Sequence, residues 1–463
     1  MEVAANLTKL EKYSFGIGAI GKDMAFNIVG GFYMLYLTLV IALDPVAVGV
    51  AFALTRVFDA FNDPIMGTIV DNTRSKWGKF RPWLAIGTLS NAIILVLMYM
   101  NFDMGRSAEY FYYFTMYVLW GITYTLMDVP YWSMIPAISG TKAERNSISS
   151  IARICAAIGG ALTTALIPVI LNKYHYGNSV FLTLGLVVAL CFTFFMAFTV
   201  LFTKEKIVVP GQKVKLSEIF NIIKKNDQLV AYLSTFGLYA IAGTIMTTAG
   251  IYYFKVVLNN ESMMTVFLAV GGVGGAGVSM LLYPLFAKKF SRRNLYIFAL
   301  IVTMAGFFVM TIFSFAFNDN TIALIAILFG GWMVFFAQGI ANVGATVMLA
   351  DIVDYGEWKM GNRNENITFS MQTFVYKCAA AVASLIMGFA LKIGNIPAVD
   401  ALGNFVGEVT DFGKGVVKFV IFALPIVFII PSYYFYKKLY KLNGKYQDDM
   451  LEKLYSTREK NKA

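Results

Sequence analysis

Apolar runs of membrane-crossing length recur about twelve times along this chain, separated by short polar segments, and no other feature constrains the fold so tightly. The stretch "SVFLTLGLVVALCFTFFMAFTVLF", Ser179 to Phe202, is free of charge for longer than the roughly 20 residues a helix needs to span a hydrocarbon core about 30 Å thick. Inside a bilayer each backbone N–H and C=O must find its partner within the segment or a closed barrel. Barrel strands would alternate in segments of about ten residues, and these runs are continuous, so they read as helices. Their cores lie at 14–42, 46–70, 83–102, 109–138, 147–171 and 178–202, then at 229–256, 264–287, 294–316, 321–350, 367–393 and 414–436. With 58% hydrophobic and only 14% charged residues, a water-soluble globule of this length is excluded.

Orientation follows from the basic residues. Arg74, Lys76, Lys79 and Arg81, then Lys142 and Arg145, the lysines from Lys204 to Lys225, the group Lys288, Lys289, Arg292 and Arg293, and finally Lys359 and Arg363 all follow even-numbered spans. The opposite loops offer little beyond Arg106, Lys173, Lys392 and Lys414. The positive-inside rule therefore places the even loops and both termini in the cytoplasm. The net charge of +11 is mainly a topology signal, and nucleic-acid binding is excluded because the basic residues are spread over separate loops. Glu2 and Glu11, with no small-residue cleavage site before the first span, argue against a removable signal. Cys155, Cys191 and Cys378 lack paired spacing and are expected to be free, buried thiols, and His175 a solvated loop residue.

The chain divides near its middle. Residues 1–203 form one six-span unit and 228–440 a second, joined by a middle loop, 204–227, and followed by a tail, 441–463. Within the loop, Leu216, Ile219, Phe220 and Ile223 recur at helical spacing opposite lysines, which predicts an amphipathic helix. Two basic hinges, "GTIVDNTRSKWGKFRPWL" and "YPLFAKKFSRRNLYIFAL", stand at matching places after spans two and eight, a faint internal repeat. In the first, Gly67, Asp71, Arg74, Gly78 and Lys79 loosely resemble the charged loop of the major facilitator superfamily, which in that family clamps helix ends on the cytoplasmic side. Topology alone explains the basic residues but leaves Gly67 and Asp71 unexplained. The expected fold is an all-α polytopic membrane protein of the major facilitator type, with twelve transmembrane helices in two pseudo-symmetric six-helix bundles around a cavity.

Charge inside the spans is costly, about 2.5–3.5 kcal/mol per group on insertion scales, and so marks a functional site by default. Span one holds Lys22 and Asp23, span two Arg56, Asp59 and Asp63, span four Asp128, span five Arg153 and span eleven Lys377, while spans seven to nine and twelve have almost none. Asp59 and Asp63 are one turn apart, with Cβ atoms about 5–6 Å from each other. In low dielectric one of them must take a proton or the pair must gain a cation. Asn62 adds an amide oxygen, a ligand suited to a hard cation, and Arg56 is a candidate counter-charge. The competing reading makes the four acids and four bases a set of structural salt bridges, which stabilise less well than apolar packing. The two readings can coexist if partners exchange between ion-bound and empty states.

Span four adds a second constellation. In "GITYTLMDVPYWSMIP", Tyr124, Asp128 and Trp132 are successive i,i+4 neighbours, with Thr125 beside them. An acid flanked by hydroxyls and aromatic faces suits a sugar, whose hydroxyls need partners and whose ring face needs stacking. Aromatic stripes are more often ordinary packing, though rarely with an acid among them. Gln372, Thr373 and Lys377 on span eleven have similar spacing and would face this stripe across the cavity. An enzyme is disfavoured: acids on consecutive turns of one helix lie on one side of a substrate bond instead of flanking it, and no metal or nucleotide motif is present. The polarity of spans one, four, five and eleven also disfavours an efflux antiporter.

At these residues the chain resembles the glycoside-pentoside-hexuronide:cation symporters, and among them most closely the melibiose permeases. The resemblance is carried in order by "GAIGKDMAF", "FDAFNDPIMGTIVDNTRSKWGKFRPWL", "LWGITYTLMDVPYWSMIP", "KKNDQL", "DIVDYGEWK" and "SMQTFVYK". It implies a symporter of the bacterial plasma membrane that couples Na⁺, Li⁺ or H⁺ to a galactoside, most strongly an α-galactoside such as melibiose, with a pentoside or glucuronide as the alternative substrate. The resemblance implies Asp59, Asp63, Asn62 and Thr125 for the cation, with Asp128 at the border of both sites. For the sugar it implies Lys22, Asp23, Tyr124, Asp128, Trp132, Arg153, Gln372, Thr373 and Lys377. Asp71, Arg74, Asp351, Asp354 and Arg363 would form a cytoplasmic gate or charge lock. One departure is Asn342, where those permeases carry tryptophan, so a second sugar unit would be held differently. No cofactor is implied beyond the coupling cation, and no motif specifies a cytoplasmic regulatory protein.

Overall fold

The computed structural model describes residues 7–102, 104–139, 142–206, 223–260, 262–316, 321–361, 365–400 and 402–460. The first half comprises α1 (Lys9–Val40), α2 (Pro45–Asn72), α3 (Arg81–Met98), α4 (Arg106–Ser133), α5 (Lys142–Tyr174) and α6 (Asn178–Phe202). The second comprises α7 (Asp227–Val257), α8 (262–289), α9 (Arg292–Ala316), α10 (Thr321–Met360), α11 (Glu365–Ile393) and α12 (Asp411–Leu439), followed by a tail helix, α13 (Gly444–Lys460). Among the described residues there is no strand, only an antiparallel bridge between Val399 and Phe405.

Among the described residues, ten of the twelve long helices are apolar enough to cross a membrane. The other two, α2 and α4, have 28 residues each and so span about 42 Å. They are long enough to cross but diluted by polar residues, and they are the helices that bear Asp59, Asp63 and Asp128. The helix starts are written in capping chemistry. Thr8 and Glu11 form a reciprocal box at α1, with Glu11 N–H to Thr8 Oγ1 at 3.2 Å and Thr8 N–H to Glu11 Oε2 at 2.9 Å. Asp44 caps α2 by accepting from Val46 and Ala47 N–H, with Pro45 at the first helical position.

Wide π turns interrupt α1, α7, α8 and α12. The nine-residue turn in α8, Ala269–Gly277, frees the Gly274 carbonyl to accept the Trp332 indole N–H of α10 at 3.0 Å. Lys255 and Lys418 are buried in or beside such turns of α7 and α12, two charges in spans expected to have almost none. Lys418 donates to the Ser314 carbonyl at the end of α9, at 3.0 Å. The three cysteines are free, but none is buried as expected: Cys155 and Cys191 are half-buried and Cys378 is exposed on the protein surface. His175 is exposed in its loop, as expected, with φ at +66°.

The chain forms two compact units, Met1–Lys213 with Ile396–Val409, and Val214–Asn395 with Thr410–Ala463. Segment 396–409 therefore groups with the first unit and not with 228–440, and Val399 N–H donates to the Leu39 carbonyl at 2.8 Å. The amphipathic helix expected around Leu216, Ile219 and Phe220 lies outside the described residues.

In the first unit, α1 packs against α5 and α6 through small residues. A methyl on Gly159 would run into the Ile20 carbonyl, and one on Gly21 would lie 2.7 Å from the Phe192 Cα, so these helices touch backbone to backbone. The two units repeat one brace. Lys206, just beyond α6, pairs at 2.8 Å with Glu11 in the first turn of α1. Lys441, just beyond α12, stands 4.0 Å from Asp227 at the first turn of α7, and Lys359 pairs with the same acid.

Candidate functional site

The first unit brings most of the suspected charges together on three helices. Lys22, only 4% exposed on α1, lies 2.8 Å from Asp128 Oδ1 of α4 and 3.2 Å from Asp23 Oδ2, and donates to the Tyr124 hydroxyl at 3.3 Å. Its Nζ also lies 5.2–5.8 Å from the ring centroids of Tyr124, Tyr131 and Trp132. A buried ammonium needs such company, because desolvating an unpaired charge costs far more than any contact it displaces. The cage is itself fixed: the Tyr131 hydroxyl donates to the Phe15 carbonyl at 2.7 Å, and the two rings stack at 4.4 Å. Arg153 of α5 is exposed, with its guanidinium carbon 5.7 Å from the Trp132 ring centroid.

A second cluster lies further along the same face of α4. Arg56 and Asp59 of α2 are both buried and pair at 3.5 Å. The Arg56 guanidinium is 5.7–6.0 Å from the rings of Phe26, Tyr117 and Trp120. Asp59 fits only because α4 presents Gly121, where a methyl would stand 2.7 Å from its Oδ1. Thr125 donates to Asp63 Oδ1 at 3.2 Å. Asn62 is half-buried between the two acids in sequence, and its Nδ2 has no hydrogen-bond partner among the described residues.

The two clusters adjoin. Tyr124 serves Lys22 and the next residue, Thr125, serves Asp63. The Tyr124 ring stacks on Trp120 at 5.3 Å, and Trp120 in turn lies by Arg56. A continuous aromatic column thus separates two pairs of acids, each with one resident base. Sequence reading singled out Tyr124, Asp128 and Trp132 on this column but missed Tyr117, Trp120, Gly121 and Tyr131. The signal was present as apolar and aromatic residues three and four apart through "YFYYFTMYVLWGITY".

Gln372, Thr373 and Lys377 are carried by α11 in the second unit. There the Tyr376 hydroxyl donates to Asn342 Oδ1 of α10 at 2.8 Å, so the amide that replaces the expected tryptophan ties two helices of its own unit. Of the suspected lock residues, Asp71 lies in the last turn of α2 and Arg74 is exposed just beyond it. Asp351 receives Arg292 at 2.8 and 2.9 Å, Asp354 is half-buried on α10, and Arg363 lies outside the described residues.

The acid that organises the first hinge is one that sequence reading passed over. Glu205 accepts the N–H groups of Lys79, Phe80 and Arg81 at 2.7, 2.8 and 3.2 Å, capping the start of α3. Gly78, at φ +103°, is the residue that lets the loop approach it.

Comparison with known proteins agrees with this architecture. The family model described as MFS/sugar transport protein matches residues 14–444. The inner membrane symporter YicJ of Escherichia coli (strain K12) is 30% identical over 412 residues, covering 86% of this chain and 85% of that one. A lactose permease of Lactobacillus delbrueckii subsp. bulgaricus is 26% identical over 466 residues, covering 96% and 72%. A structure solved in work on substrate recognition by proton-dependent oligopeptide transporters matches with a TM-score of 0.66 at 13% identity, covering 96% of this chain and 100% of that one, a likeness of fold alone. With the family match running through nearly all of its length, the chain belongs to the MFS/sugar transport protein family, within the glycoside-pentoside-hexuronide group of the major facilitator superfamily, and is a membrane transporter and not an enzyme.

Proposed function

We propose that this transporter is a symporter that carries a galactoside, most strongly an α-galactoside such as melibiose, together with a monovalent cation, Na⁺, Li⁺ or H⁺. The observation that carries the reading is the arrangement on α2: two carboxylates one turn apart at membrane depth, with Thr125 of α4 donating to the second. Carboxylate, amide and hydroxyl oxygens are what a hard cation takes as ligands, and Asp59, Asp63, Asn62 and Thr125 supply all three kinds. The sugar would take its hydroxyl partners from Asp23, Asp128 and Arg153 and its stacking face from Trp132, with Lys22, Tyr124, Gln372, Thr373 and Lys377 completing the set. The lactose permease among its relatives supports a galactoside.

Binding of the ion beside α4 and of the sugar on α4 would be cooperative, since Tyr124 and Thr125 are consecutive residues. By linkage the ion then tightens the sugar by the same factor as the sugar tightens the ion. Alternating exposure of the cavity to the two sides would complete transport. The basic loops and both termini would face the cytoplasm of a bacterial cell across its plasma membrane. Asp71, Arg74, Asp351, Asp354 and Arg363 would then act on that side as a gate or charge lock.

The test is initial uptake of radiolabelled melibiose in cells lacking other galactoside carriers, with and without Na⁺ or Li⁺ at two pH values, beside Asp59→Cys and Asp63→Cys. Uptake stimulated by a cation and lost in both variants supports the reading and identifies the ion. No melibiose uptake under any cation, by protein present in the membrane, overturns the substrate and moves the assay to pentosides and glucuronides.

A further inference from the structure

We propose that Asn91 of α3 is a positioning residue for the cation site: it fixes the turn of α4 that meets Asp59 and Asp63 without itself reaching either carboxylate. This inference rests on the reading of the α2 acids as a cation site. Asn91 is 0% exposed, in a helix that brings no charge to the site. Its Nδ2 donates to the Trp120 carbonyl at 3.0 Å and to Thr123 Oγ1 at 2.9 Å. A main-chain carbonyl only accepts, so the orientation of the amide is fixed by chemistry. The consequence is that Oδ1 stays buried with no hydrogen-bond partner among the described residues, an arrangement that costs stability. Both amide protons are therefore committed to one turn of α4.

That turn is the one the acids depend on. Gly121, next to Trp120, gives Asp59 its space. Thr125, two residues past Thr123, donates to Asp63. Trp120 itself lies by Arg56. Thr123 Oγ1 in turn donates to the Leu119 carbonyl at 2.8 Å, with the Trp120 carbonyl at 3.2 Å as its longer acceptor, so the amide is tied through Thr123 to the same turn. Further along, α3 and α4 interlock at Gly87, where a methyl would lie 2.7 Å from the Met127 nitrogen. With α3 fixed against α4 at two levels, a small slide of α4 would move Gly121 and Thr125 together, and ligand geometry tolerates only about 0.5 Å.

The experiment measures the cation concentration giving half-maximal stimulation of sugar uptake, sugar affinity at saturating cation, and thermal unfolding of the purified protein. Asn91→Leu keeps the volume and removes both donors. We expect the half-stimulating concentration to rise about tenfold or more, the usual effect of losing an outer-shell partner of a metal site, while sugar affinity at saturating cation holds. Thr123→Val should shift it in the same direction by less, and Asn91→Leu/Thr123→Val should be no worse than Asn91→Leu alone. An unchanged half-stimulating concentration in Asn91→Leu overturns the assignment, and so does a parallel fall of ion response, sugar affinity and unfolding temperature, which is the mark of ordinary helix packing. Asp59→Asn in the same cells separates the two levels. If cation stimulation survives that change, the α2 reading itself is wrong. If it is lost there and untouched in Asn91→Leu, only the role of Asn91 is wrong.

Discussion

Replacing Gly121 by alanine adds one methyl group to α4 and sets two effects of known size against each other. Alanine is the better helix former by about 1 kcal/mol, so the helix itself gains. The new methyl would lie 2.7 Å from Asp59 Oδ1, where ordinary contact begins near 3.4 Å, so the carboxylate must retreat by about 0.7 Å. Overpacking of this kind costs about 1–3 kcal/mol. Asp59 is buried and paired with Arg56, whose guanidinium lies by the Tyr117 and Trp120 rings, so the displacement falls on the carboxylate and not on solvent. Expressed wholly in cation binding, that range is about 5- to 150-fold. The assay is cation-dependent sugar uptake in membrane vesicles, with thermal unfolding in detergent as the companion measurement. We expect weakened ion response at an unfolding temperature equal to or above that of the parent. Unchanged ion response would refute the steric argument, and a lowered unfolding temperature would show that the strain spreads through the bundle instead of staying at the site.

Three further outcomes follow from contacts of the same kind. Glu205→Ala removes one carboxylate from three backbone N–H groups at the start of α3 and should lower stability by about 1–2 kcal/mol, read as a lower unfolding temperature. Gly78→Ala strains a backbone at φ +103° and presses on the same carboxylate, so it should destabilise by at least about 1 kcal/mol, and combining it with Glu205→Ala should cost less than the sum of the two. Lys22→Leu leaves Asp23 and Asp128 without their shared cation and should cost about 3–5 kcal/mol; quantitative immunoblotting should show reduced membrane abundance, recovered without transport in Lys22→Leu/Asp128→Asn.

The helices were legible because the bilayer writes them locally, as continuous apolar runs, while the caps, which are just as local, were passed over. Asp44–Pro45 marks the start of α2, and Thr8 with Glu11 marks the start of α1, within a few residues of each other in the chain. The acids of the site were legible for the same reason, as charges where apolar residues are cheaper. Pairing was not, because Lys22 meets Asp128 across 106 positions and Glu205 meets Lys79 across 126. No spacing rule reaches that far. Lys255 and Lys418 were missed for another reason: they stand near the ends of spans, where a lysine normally reaches out to water, and π turns hold them inside instead. The contact of Asn342 with Tyr376 was illegible for the same reason as the other pairs, since it closes across 34 positions.

The balance of charge across the proposed site carries an electrical consequence. Lys22, Arg56, Arg153 and Lys377 stand against Asp23, Asp59, Asp63 and Asp128. Fully ionised and empty, this constellation has no net charge, and a single monovalent cation makes it positive by one. On the proposed reading, the empty carrier presents a neutral constellation to the field across the membrane, while the loaded one presents a cation. An interior-negative voltage works on each such charge at about 2.3 kcal/mol per 100 mV. That work drives the loaded site toward the inside, so voltage would accelerate the crossing of the cargo and leave the return of the empty carrier nearly untouched.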